Sequence, residues 1–190
     1  MSAAAFAGVI GLGLAASPVM AAEPTGNTDV FYTTDSTTID ADGKVVMVVP
    51  ASVSLNKNAK SQEFAVTMKT TDPNGKLPQN FSAEVKVDSK NNGMLVMDNN
   101  EQKKAAYTLT KNQTPIDLKK DWTDFHTFTT QSADTHSVEQ KATVAVDDNN
   151  SKIMENEKPG TTFKDQLTFK VTSVSGEGLD GSNITPNQKP

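Results

Sequence analysis

The sequence contains no cysteine and no arginine. Without cysteine there is no disulfide framework, no thiolate nucleophile and no cysteine-rich zinc site. All 18 basic residues are lysine, so the planar fork that reads guanine or clamps phosphate is missing. With a net charge of -5, the chain is a poor partner for nucleic acid or for an anionic membrane. Histidine is scarce at 2 copies, and so are the ring systems that stack on sugars, with 1 Trp and 2 Tyr. Long apolar runs are missing too. Residues 3–16 form the longest one, shorter than the roughly 20 residues that cross a bilayer.

That short run has a meaning of its own. It is followed by the helix breaker Ser17-Pro18 and by Val19-Met20-Ala21. Small residues at Val19 and Ala21 suit the site a signal peptidase cuts, so residues 1–21 read as a signal peptide cleaved after Ala21 or one residue later. No lysine precedes the run, which is what an internal methionine of a longer reading frame would produce. The expected destination is therefore outside the cell: secreted, or attached non-covalently to the cell surface. A cysteine-free exported chain rich in Lys, Asn, Asp and Thr suits a Gram-positive bacterium. No LPxTG-like sorting signal is present.

The 190 residues are enough for one ordinary domain. Residues 22–43 read as an N-terminal arm whose Asp29-Val30-Phe31-Tyr32-Thr33-Thr34 stretch can add a strand. From residue 44 to 175 apolar and polar residues alternate in short runs. Lys44-Val45-Val46-Met47-Val48-Val49 is β-branched and stopped by Pro50. Phe64, Val66 and Met68 share one face, as do Ala83, Val85 and Val87, and as do Leu167, Phe169 and Val171. Asn91-Asn92-Gly93 is a hairpin signal, and Asp72-Pro73-Asn74-Gly75 a turn. Phe125 or Trp122, with Phe128, is expected to anchor the core. Residues 151–162 read as a polar loop, and residues 176–190 as a flexible tail. About eight or nine strands without a helical crossover predict an all-β, antiparallel two-sheet sandwich. An immunoglobulin-like arrangement is favoured, with a jelly roll second.

The chemistry-bearing residues are few. His126 and His136 can draw on Asp121, Asp124 or Asp134 for a metal, but two polar residues beside a loop describe them equally well. Asp147, Asp148 and Asn149 form an oxygen-rich stretch of the kind calcium takes, as do Asp98-Asn99-Asn100-Glu101. Both also read as turns. Trp122 and Tyr107 are the candidates for a sugar-binding platform. No Gly-x-Ser-x-Gly elbow exists. Lys69, Lys86, Lys141 and Lys170 fall on outward positions, away from any buried Lys–Asn cross-link. No catalytic residue and no cofactor is expected.

Two segments resemble a pattern found in exported cell-surface β-sandwich domains of low-GC Gram-positive bacteria, the adhesin and Trp-x-Leu surface-protein group. They are Val48-Val49-Pro50-Ala51-Ser52-Val53-Ser54-Leu55 with Phe64-Ala65-Val66-Thr67-Met68, and the closing strand Asp165-Gln166-Leu167-Thr168-Phe169-Lys170-Val171. Gly160-Thr161-Thr162-Phe163 matches the family's lead into that strand only loosely, and Trp122 is followed by Thr123-Asp124 rather than by the Trp-x-Leu signature. The resemblance implies a surface or adhesion module without assigned chemistry. Its expected partner is a cell-surface protein, a glycan, or another copy joined through edge strands. The alternative is a secreted carbohydrate-binding module or an accessory to a cell-wall hydrolase.

Overall fold

A computed structural model describes residues 28–32, 37–38, 45–130, 132 and 134–179. The expected signal peptide, much of the arm and the tail beyond residue 179 lie outside the described residues. Within them the alternating runs become strands of two sheets packed face to face. The first sheet holds β1 (Thr28–Tyr32), β4 (Ser52–Leu55), β6 (Ser82–Ser89), β7 (Met94–Met97), β8 (Asn100–Ala106), β11 (Thr123–Thr129) and β13 (Phe163–Ser175). The second holds β2 (Thr37–Thr38), β3 (Val45–Val48), β5 (Ser61–Thr70), β9 (Thr108–Lys111), β10 (Thr114–Ile116) and β12 (Ser137–Ala145).

The period of two decides what is buried. On β5, Phe64, Val66 and Met68 point inward, and β6 buries Ala83, Val85 and Val87. Phe125 and Phe128 of β11 are 0% and 1% exposed. They fill the anchoring role, while Trp122 stays half-buried outside the core. Phe169 ties the layers together: its ring meets Phe125 edge-on at 5.0 Å and Phe64 of the facing sheet at 6.3 Å. Lys69 and Lys141 are exposed, and Lys86 and Lys170 half-buried, so all four lie outside the core.

Turn chemistry sets the register. Met94 N–H donates to the Asn91 carbonyl at 3.1 Å, and the two residues between, Asn92 and Gly93, have φ of 54° and 75°. Two positive φ values are the signature of the hairpin turn whose twist matches the strands. Asn112 and Gln113, with φ of 47° and 65°, make the corresponding turn from β9 to β10.

Three features depart from the sequence reading. Residues 151–162 are not all loop, because α1 (Asp148–Glu155) covers the first part. The sheets are antiparallel except at one join, where β1 runs parallel to β13 from Thr28↔Phe163 to Tyr32↔Leu167. The strand segments are more numerous than eight or nine, because residues 94–116 break into four pieces that pass from one sheet to the other.

Candidate functional site

Two places hold arrangements beyond plain packing: the setting of β1, and the region around α1. β1 lies inside the first sheet, not at its margin. One side pairs in parallel with β13, and the other pairs antiparallel with β4, from Thr28↔Leu55 to Phe31↔Ser52. The opposite margin of β13 is already taken by β6 and β7. The flanking residues Val53, Leu55, Phe163 and Leu167 are all buried. The strand therefore closes a gap in the wall of the core.

Three of the sheet margins, those of β8, β10 and β11, are blunted. β10 is three residues long and contains Pro115, which has no N–H to offer. β11 is broken by a register shift between Asp124 and His126. There Lys111 Nζ donates to the Phe125 carbonyl, and Asp124 pairs with Lys86 at 3.2 Å. β8 carries exposed Glu101, Lys103 and Lys104. α1 lies beside it, and Ala106 N–H donates to Asn150 Oδ1 at 2.7 Å. Charges, bulges, proline and a covering helix are the usual means of preventing strand-to-strand aggregation.

α1 is fastened at its start. Asp147 is its N-cap and accepts from Asn150 N at 2.7 Å, and that bond holds the Asp147 carboxyl below its ordinary range. Asp148 pairs with Lys60 at 2.9 Å. The bond lowers the Asp148 carboxyl and raises the Lys60 ammonium. Ser151, buried in the helix, donates to Glu155. A cleft of about 280 Å³ separates α1 from the β4–β5 turn, with Leu55, Val146 and Met154 as apolar floor and Lys57, Lys60 and Glu155 at the rim.

The residues singled out in the sequence do not gather. Asp147 and Asp148 serve capping and ion pairing, and Asn149 sits exposed in the first turn of α1. Among the described residues no three histidines or carboxylates stand close enough to share a metal ion. Asp98 pairs with Lys164 at 2.8 Å, and Asp134 pairs with Lys76. His136 Nδ1 donates to the Gly75 carbonyl. His126 meets Phe128 edge-on at 4.8 Å. Burial lowers its pKa, and the Lys111 charge adds to the effect.

Trp122 and Tyr107 do not form one platform. Tyr107 is 6% exposed and marks the crossing from β8 to β9. Trp122, held at φ of 52°, has one face of its ring covered by Lys170 Nζ at 3.8 Å from the centroid. The alternation Ala105, Tyr107, Leu109 already assigns Tyr107 to the inner face.

The sequence reading missed Asp165. It is 2% exposed and accepts from Ser89 Oγ at 2.6 Å, Tyr107 Oη at 2.6 Å and Asn91 N at 2.9 Å. Ser89 Oγ in turn accepts from Gly93 N at 2.7 Å. A buried carboxylate supplied with three donors is structurally satisfied. It locks the β6–β7 hairpin to β13. Compared with known proteins, the chain matches no family model and no curated sequence.

Proposed function

We propose that this chain is a non-enzymatic exported protein of the cell surface or extracellular matrix, acting by binding or self-association. The carrying observation is the position of β1: a segment of the arm fills the place between β4 and β13 in the wall of the core. Signal-like residues 1–21, the absence of cysteine and the resemblance to Gram-positive surface sandwiches support the same reading. The alternative, a glycan-binding module, would rest on Trp122 without Tyr107.

The test has two arms. N-terminal sequencing of exported material is expected to begin at Ala22 or Glu23. Light scattering of that material is expected to show mass rising reversibly with concentration. Monomer throughout, with retention on cell-wall glycan that Trp122→Ala abolishes, would replace this reading with the glycan-binding one.

A further inference from the structure

We propose that copies of this chain associate by exchanging β1, so that Thr28–Tyr32 of one copy fills the gap between β4 and β13 of another. The inference rests on the self-association reading above and names its partner and contact.

The gap requires a strand. Withdrawing β1 strips backbone partners from the Phe163–Leu167 stretch of β13 and from β4. It also opens the wall beside Val53, Leu55, Phe163 and Leu167, which the closed fold keeps at 4%, 2%, 1% and 0% exposure. Unpaired backbone over an apolar core is costly. The segment whose register satisfies both neighbours is 28–32, and a second copy carries the same segment.

β1 is also the strand easiest to exchange. No hairpin joins it to either neighbour: β4 and β13 are distant in sequence, and the next element, β2, belongs to the other sheet. It comes first among the described elements, so withdrawing it takes no other strand of its sheet with it. Only residues 33–36 connect it to β2.

Several other routes to association are weak. The margins formed by β8, β10 and β11 are blunted as described. Among the described residues, Ile153 is the one large apolar side chain that is exposed, so face-to-face docking has little apolar area to bury. Exchange adds a partner without needing a new surface, because each contact is one the closed fold already makes.

The absence of cysteine gives a clean test. Asp29 stands opposite Ser54 in the antiparallel register. Such partners have Cα atoms about 4.5–5.5 Å apart, within the reach of a disulfide. In the mature chain carrying both Asp29→Cys and Ser54→Cys, refolded dilute, an internal disulfide is expected. Its absence would show that β1 does not pair with β4 and would overturn the proposal.

The deciding experiment mixes two differently tagged single variants, Asp29→Cys and Ser54→Cys, refolded together at high concentration and then oxidised. Cross-linked heterodimers are expected well above the yield of a control mixture of Asp29→Cys with Ser173→Cys, an exposed position on β13. Equal yields overturn the exchange. If light scattering still shows assembly in that case, self-association stands and only this contact is wrong. If the protein remains monomeric as well, both fall.

Discussion

Tyr107 Oη donates to Asp165 Oδ2 across 2.6 Å, at a point where the two residues retain 6% and 2% of their exposure. Tyr107 stands where the chain leaves the first sheet for the second, and Asp165 lies on the inner face of β13. The bond therefore pins a crossover to the strand at the centre of the first sheet. Ser89 and the Asn91 amide add two further donors to the same carboxylate.

Removing the acceptor should cost more than removing one donor. Asp165→Asn replaces an all-acceptor group with one that turns an N–H2 toward hydroxyls already committed. The expected loss is about 1–3 kcal/mol, or about 2–4 °C in Tm for each kcal/mol in a chain of this size. Tyr107→Phe leaves the carboxylate two donors and should cost about 1 kcal/mol. Urea unfolding midpoints of the two variants provide the comparison. Equal losses would show that the carboxylate depends on tyrosine alone.

Gly93 carries the β6–β7 turn at φ of 75°, and a Cβ there would stand 3.3 Å from Leu118 Cβ. Gly160 has a similar φ of 86° with nothing within 4 Å. Alanine at either position meets the left-handed backbone penalty of about 1 kcal/mol. Only Gly93→Ala must also move Leu118. Thermal melts should rank Gly93→Ala below Gly160→Ala, and a reversed order would separate Leu118 from the turn.

How much of this was legible in the sequence follows from how local each feature is. Alternation in residues 64–68, 83–87 and 167–171 placed the right side chains inward because side-chain period alone decides it. The Asn92-Gly93 turn was readable for the same local reason. The first part of β8 was not, because residues 100–104 are all polar and are held as a strand by pairing with β7. α1 escaped because eight residues give too few turns for a helical period to emerge. Asp165 was passed over as polar, although the frame set by Phe163 and Leu167 had already turned it inward. The parallel partnership of β1 with β13 depends on segments at opposite ends of the fold. No local pattern encodes that choice.

Asn150 joins α1 to the margin of β8. Its Oδ1 accepts from Ala106 N–H at 2.7 Å, and its Nδ2 donates to Asp147 at 3.0 Å. Asn150→Ala should free the Ala106 amide, speeding its hydrogen exchange, and should raise aggregation on heating because the strand margin loses its cover. Unchanged exchange at Ala106 would show that the helix backbone, without this side chain, shields the margin.

The same helix should respond to both extremes of pH. Asp147 and Asp148 have carboxyls lowered from the ordinary 3.8 by their bonds to Asn150 and Lys60. Their contribution is complete above 3.8 and is lost as pH falls through the lower folded values. Lys60, raised from 10.5 by Asp148, contributes fully below 10.5, and that contribution is lost as pH rises through its higher folded value. Amide protection in α1 should thus be flat between these limits and fall outside them. Lys60→Met should remove the alkaline fall while keeping the acid one, since Asp147 still caps the helix.

His126 sets a third pH window, nearer neutrality. Burial, then the Lys111 charge, holds its pKa below the ordinary 6.5. The unfolded chain therefore takes up a proton at a pH where the folded one still resists it. Stability contributed by this site should decline as pH falls below 6.5 toward the folded value, and should change little above 6.5. Its ring packs edge-on against Phe128, next to the register shift in β11, so protonation should loosen that margin first. Urea midpoints between about pH 5 and 7 should fall less steeply in His126→Gln than in the wild type. Parallel slopes would assign the acid sensitivity of the fold to its carboxylates instead.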